Sequence, residues 1–259
     1  MKLHLKRLAF RTLSTKNYLR LLQRGYFFAY RFGLLKNTEE YKYHYFVRRL
    51  IHQGDYILDI GANLGYYSKL FSRWAGPRGK VFSVEPIRIY NEIFREATRH
   101  CKNITLYPYA LGLEEKEITL IAPLHNGYMH TGLPHVYNPQ KDGQLNEQEL
   151  TFPAQMKIPS KLFNNLEKLN YIKCDIEGFE AIVLNDLKEI IARHRPIVQV
   201  EVWNQNRQEV LQLFGSLGYN AYQLQNRKLT AYEKLPADFD GDFIFIPQTH
   251  PEINRLTGN

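Results

Sequence analysis

Two short stretches of this sequence concentrate side chains able to do chemistry. The first is Asp59-Ile60-Gly61-Ala62-Asn63-Leu64-Gly65, and the second is Lys173-Cys174-Asp175-Ile176-Glu177-Gly178-Phe179-Glu180. In the first, an apolar run ends in an acid and a glycine, and helical spacing follows. Gly61 permits a tight turn and lets a ligand come close to the backbone. Further on, Glu85-Pro86 closes a second apolar run, and a carboxylate there can accept both hydroxyls of a ribose. Two cofactor classes share this arrangement. A nicotinamide or flavin dinucleotide needs a glycine at the position of Asn63, so that its diphosphate can reach the helix N-terminus. S-adenosylmethionine has no phosphate, and needs a carboxylate facing its amino-acid end, directly or through water. Asp59 suits that role. Gly61, Asn63, Gly65, Glu85, Pro86, Ala110 and Asp175 complete the expected cofactor site. A dinucleotide and a plain packing turn are the alternatives.

The second stretch supplies the expected acid–base groups. Asp175 ends one strand, Glu177 starts the next helix, and Glu201 ends a later strand, so all three fall at the ligand edge of an α/β sheet. Lys173 shares a strand face with Asp175 and needs a partner there. Asp175 is the first choice for a base; its pairing with lysine would weaken it, leaving Glu177 or a histidine as the other choice. The alternatives are structural: Asp175 capping a helix, Glu177 favouring its N-terminal end, and Glu201 in an ion pair. His125, His130 and His135, with Tyr128 and Tyr137, lie in 123–155, a stretch without clear period. It reads either as a lid whose rings stack on a substrate, with His125 or His130 taking a proton, or as a solvated loop. The histidine spacing matches no metal motif, so no metal is expected.

Positioning these groups requires alternating strands and helices. Strands are expected at Tyr56–Ile60, Lys80–Val84, Ile104–Tyr109, 117–122, Tyr171–Cys174, Pro196–Val202, Tyr219–Gln225 and Asp242–Ile246. Helices are expected at 64–75, 87–100, Phe179–Ala192 and 205–217. The pattern predicts a doubly wound, mostly parallel α/β sheet of seven strands with an antiparallel terminal hairpin, the Rossmann-like class I methyltransferase arrangement.

Taken together, DIGANLG, the 81–86 segment VFSVEP, the K-x-D-x-E-G-x-E pattern from Lys173 to Glu180 and the 195–202 segment RPIVQVEV resemble the FkbM family of S-adenosylmethionine-dependent methyltransferases over roughly residues 54–247. The resemblance implies methyl transfer to oxygen, often a hydroxyl of a sugar or related natural product. The sequence departs from the family at Cys174, where an aliphatic residue is usual, and at 158–163, which lacks the usual Leu-Asp-Asp. The expected function is therefore O-methylation of a small-molecule or glycan hydroxyl. The alternatives are a nucleic-acid methyltransferase and a cofactor-binding scaffold without turnover. No Asn-Pro-Pro-Tyr type motif is present, which disfavours methylation of a base amine, and no nucleic-acid partner is expected.

Charge divides the chain. Residues 1–50 hold twelve Lys/Arg against Glu39 and Glu40, while 51–259 hold 22 basic and 24 acidic residues. The division reads as a basic helical arm, 1–50, on a near-neutral catalytic domain, 51–259; a nucleic-acid reader would carry its charge on the body instead. On a helical wheel, 16–33 puts Lys16, Arg20, Arg24, Phe27 and Arg31 on one side and Tyr18, Leu22, Tyr26, Ala29 and Phe32 on the other. The arm either packs on the domain with its basic face in water or lies on an anionic membrane. Two distant cysteines, no clean signal-peptide core and no long uncharged apolar run predict a cytoplasmic protein, peripheral to the inner membrane face if the arm binds lipid.

Overall fold

The structure is a computed structural model that describes residues 3–125, 128–144, 149–203, 205–234 and 240–257. The helices are α1 (Leu3–Thr12), α2 (Thr15–Arg31), α3 (Lys42–Phe46), α4 (Tyr66–Ala75), α5 (Arg88–Thr98), α6 (Pro139–Asp142), α7 (Pro159–Phe163), α8 (Glu180–Asp186), α9 (Lys188–His194), α10 (Gln205–Ser216) and α11 (Ile253–Thr257). The strands are β1 (Tyr56–Ile60), β2 (Lys80–Val84), β3 (Ile104–Tyr107), β4 (Ala110–Leu111), β5 (Lys116–His125), β6 (Tyr128–Met129), β7 (His135–Val136), β8 (Glu149–Lys157), β9 (Tyr171–Cys174), β10 (Ile197–Val202), β11 (Tyr219–Gln225), β12 (Lys228–Ala231) and β13 (Gly241–Pro247).

The main sheet runs β12-β11-β13-β10-β9-β1-β2-β3. β10, β9, β1, β2 and β3 are mutually parallel, and β13, β11 and β12 follow in antiparallel pairs. Both faces are buried, which explains the near-continuous apolar runs. Leu58, Ile172, Val198 and Phe245 pack on one side. Ile57, Tyr171, Ile197 and Ile244 pack on the other.

The sheet has eight strands where seven were expected. The additional one, β12, returns from β11 through Asn226 (φ 49°) and Arg227 (φ 64°), a two-residue turn with both central residues left-handed. That turn lacks the glycine by which such hairpins are usually read. Two other elements differ. Pro108 stops β3 before Tyr109, and the helix expected over 179–192 divides at Leu187 into α8 and α9.

The stretch expected to be an irregular insertion is mostly sheet. β5 and β8 pair antiparallel from Lys116↔Met156 to Pro123↔Glu149, with β4, β6 and β7 attached. Ile118, Leu120 and Ala122 of β5 and Leu150, Phe152 and Ala154 of β8 turn one face to a third apolar cluster. This cluster also takes Tyr18 and Leu19 of α2. The arm is therefore packed on the domain. Gln23 donates to Leu64 O, Tyr18 hydroxyl donates to Met129 O (3.3 Å), and Lys16 and Arg20 form ion pairs with Glu92 and Glu96 of α5. The wheel reading needs two corrections. Lys16 and Arg20 face acids rather than open solvent, and Phe32, expected on the inner side, is 63% exposed.

Candidate functional site

The carboxyl ends of β1, β2 and β9 meet at the mouth of one cavity, and the second sheet closes its far side. Gly61, at the end of β1, has φ 80°. A β-carbon there would lie 1.9 Å from Asp175 O. The glycine is thus required by the approach of two backbone segments, in addition to whatever approaches from the cavity. Asn63 is also left-handed, φ 50°. Its side-chain oxygen accepts from Leu64 N–H (2.8 Å) and its amide donates to Thr131 O (2.7 Å), tying the turn to the second sheet. Gly65 starts α4 against the ring of Phe94, and a β-carbon would meet that ring at 2.9 Å.

The cavity is lined by Gly61, Asn63, Glu85, Pro86, Ala110, Asp175 and Glu177 of the expected site, and by apolar groups including Ile87, Tyr90 and Leu111. Glu85 is 5% exposed. One of its oxygens accepts from Asn63 N–H (2.9 Å), the other from Ile87 N–H (2.8 Å). Each oxygen keeps a further acceptor position for a ligand hydroxyl. Burial, opposed by those two amides, pushes the Glu85 carboxyl up to about 7.

Other expected members lie elsewhere. Asp59 and Gly65 do not line the cavity. Asp59 is wholly buried beneath it and accepts from the Ser68 hydroxyl, which also accepts from Ser83 Oγ (2.9 Å). Asp59 faces Lys173 across the sheet, because β1 and β9 pair in that register. Its position at a strand residue pointing into the helix layer, rather than at the strand tip, keeps it from the cavity. Among the histidines, His135 lines the cavity and His130 does not; His130 packs beside Tyr128 (4.5 Å between centroids). His135 bonds Leu133 O and Asp142 Oδ1, each at 3.1 Å. The His125 side chain lies outside the described residues.

A buried cation organises the acids. Lys173, 4% exposed, donates to Asp175 Oδ2 at 2.8 Å. Burial alone would lower its pKa, but Asp175, Asp59 and Asp242 outweigh burial and raise it. Glu177 has φ 51° and sits beside Asp175; burial and the Asp175 charge push its carboxyl up to about 8. Glu201 does not line the cavity. It pairs in register with Asp242 on β13, and burial with Asp175 and Asp242 nearby also pushes it up to about 8. Asp242, accepting from Gln199 Nε2 at 2.7 Å, is pushed by burial up to about 6.

Three residues outside the sequence expectation contact these acids or the loop that carries them. Glu180 is 3% exposed and accepts from the N–H groups of Ile176 (2.9 Å) and Gly178 (3.0 Å), strapping the loop that presents Glu177. Its place in the acidic pattern was visible, but not this inward turn. Asp242 stands far from the motifs in sequence, and only strand order brings it in. Trp203, directly after β10, is 54% exposed and donates its indole N–H to Glu201 Oε1 (3.2 Å). Among the described residues, no cluster of His, Cys, Asp or Glu could hold a metal ion.

Comparison with known proteins adds a family. Residues 59–221 match the family described as the methyltransferase FkbM domain. Among solved structures, the chain is similar to a methyltransferase FkbM from Methylobacillus flagellatus, at 15% identity and TM-score 0.48, covering 74% of this chain and 43% of that one. It is also similar to a fibrillarin from Aeropyrum pernix with natively bound S-adenosyl-L-methionine, at 12% identity and TM-score 0.44, covering 76% and 67%. A third is a SAM-dependent O-methyltransferase from Thermotoga maritima, at 11% identity and TM-score 0.42, covering 81% and 65%. This chain thus spans less than half the length of the Methylobacillus protein. No curated protein matches it.

Proposed function

Because this chain belongs to the FkbM methyltransferase family, we propose that it transfers a methyl group from S-adenosylmethionine to a hydroxyl oxygen of a sugar or related polyhydroxylated acceptor. The observation that carries this reading is the acidic lining of the cavity. Glu85, Asp175 and Glu177 line it, and no described Lys or Arg does. A dinucleotide diphosphate would meet repulsion there, with Asn63 where the close-approach glycine is needed. A sulfonium cation carrying an adenosine suits the same wall. Glu85 would hold the ribose hydroxyls, Pro86, Ile87, Ala110 and Leu111 would border the base, and Asp175 would face the charged end. When bound, the cofactor supplies a methyl carbon that leaves its sulfur as the acceptor oxygen bonds to it.

This chain's own residues align the acceptor and hold its proton. Trp203, an exposed indole next to Glu201, suits the apolar face of a sugar ring whose hydroxyls bond the neighbouring acids. Asp175 is held by Lys173 and so orients a hydroxyl better than it deprotonates one. Glu177 lines the cavity, leaves Lys173 to Asp175, and takes the proton. Its carboxyl, pushed up to about 8, accepts a proton only when ionised. The single-turnover rate is therefore expected to rise about tenfold per pH unit below about pH 8, then level off.

The test uses methyl-labelled S-adenosylmethionine with a panel of mono- and oligosaccharides, read by mass spectrometry. Label in an ether on a sugar, with that pH limb, is the expected result. Label transferred to RNA or DNA would replace the acceptor class, and cofactor binding without transfer to any acceptor would favour a scaffold.

A further inference from the structure

One face of the arm has no partner among the described residues. α2 turns Tyr18, Leu19, Gln23 and Tyr26 inward. At 100° per residue, Leu21, Phe28 and Phe32 fall on one narrow stripe opposite that packed face. They are 43%, 61% and 63% exposed, and Leu34, just beyond the helix, is 66% exposed. Phe28 and Phe32 touch, with centroids 4.7 Å apart. Scattered exposed apolar residues need no explanation, but a contiguous stripe does.

The chemistry around the stripe indicates what covers it. Arg24 and Arg31 are exposed along its flank, and the first fifty residues carry twelve basic side chains against two acidic ones. A second copy of this chain would bring like charge to like charge across such a contact. A lipid surface bearing negative headgroups would receive the aromatic rings below the headgroup level and the guanidinium groups at it. Among the described residues, no helix is long and apolar enough to cross a membrane, so the contact is interfacial. We propose that the stripe Leu21–Phe28–Phe32–Leu34, with Arg24 and Arg31, docks this protein on an anionic lipid bilayer. None of these residues lines the cavity, so the proposal stands apart from the reading of the reaction.

Co-sedimentation of the full chain with vesicles tests it. The probes are phosphatidylcholine alone and phosphatidylcholine containing phosphatidylserine. The expected result is binding to the second only, weakened as salt is raised from about 0.05 to about 0.5 M. Phe28→Ser/Phe32→Ser is expected to lower partitioning at least about tenfold, as anchoring apolar area is lost. Arg24→Gln/Arg31→Gln is expected to lower it on the order of thirtyfold. The unfolding midpoint of each variant is measured alongside; if the phenylalanine pair is unfolded, Leu34→Ser, outside any helix, replaces it. Equal binding to both vesicles, or unchanged binding by the folded phenylalanine variant, overturns the proposal. So does a concentration-dependent dimer that this variant dissociates, in a wild-type protein that ignores vesicles.

Discussion

Replacing Glu177 by Gln is expected to lower the rate constant for methyl transfer by about 10²–10⁴-fold, the usual worth of general-base assistance, with cofactor affinity nearly unchanged. The loop from Ile176 to Gly178 is strapped by Glu180, so the variant keeps its backbone. Glu177 lines the cavity with its pKa raised, whereas Asp175 beside it is paired with Lys173. The same raised pKa makes a stability statement of the opposite sign. Its folded value, about 8, lies above the ordinary glutamate value of 4.5. Its favourable contribution is therefore fully present below about pH 4.5 and lost as pH rises through 8. Above pH 8 the Gln variant should be more stable than wild type, on the order of 1–3 kcal/mol. Slower and sturdier together identify a functional carboxylate. Glu201→Gln should show the same gain in stability with a smaller loss of rate, because Glu201 does not line the cavity. A Glu177→Gln enzyme with near-wild-type single turnover across pH would move the proton elsewhere, with His135 the next group on the cavity wall.

Replacing Lys173 by Met is expected to destabilise the fold by about 3–5 kcal/mol at pH 8, the range for removing one partner of a buried ion pair. Lys173 sits between Asp59 on β1 and Gln199 on β10, with Asp175 two residues along its own strand face. Its pKa is raised, so its contribution is complete below the ordinary lysine range and is lost only as pH rises through the folded value. All of it is at stake near neutrality. Without the ammonium, Asp59, Asp175 and Asp242 face one another across the end of the sheet. Protonation of Asp242, and of Asp59, both pushed up by burial, relieves that repulsion, so the loss should be smaller at pH 5 than at pH 8. Urea unfolding at both pH values measures it. A loss under about 1 kcal/mol, equal at both, would mean that the lysine does not organise the acids.

Much of this arrangement was legible in the chain. Gly61, Glu85 and Asp175 could be placed at strand ends because each closes a short apolar run, and ligands in such sheets bind at those ends. The parallel body followed from strands alternating with helices. What stayed hidden depends on contacts that no local pattern encodes. β8 does alternate, through Leu150, Phe152, Ala154 and Met156, but Pro153 and its polar surroundings mask the period, and its partner β5 lies across the insertion. Asp59 was expected to face the amino-acid end of the cofactor, directly or through water. Strand alternation instead aims it into the layer under the sheet, against Ser68. The acid Asp242 and the indole of Trp203 come beside Glu201 through strand order and a bond across the strand end, which sequence spacing does not report. On α2, the wheel separated basic from apolar residues, but burial follows α5 and the second sheet, which leaves Phe28 and Phe32 outside.

Calorimetric titration of the wild-type chain and Glu85→Ala with S-adenosylmethionine and with NAD tests the central claim most directly. The carboxylate of Glu85 lies at the cavity wall with an acceptor position left on each oxygen, and the wall carries no described Lys or Arg. The account predicts that wild type binds S-adenosylmethionine and not NAD. It also predicts that Glu85→Ala weakens that binding by about 1.5–3 kcal/mol, the worth of charge-assisted hydrogen bonds. Tight NAD binding by wild type, or wild-type affinity for S-adenosylmethionine in a folded Glu85→Ala protein, would contradict it.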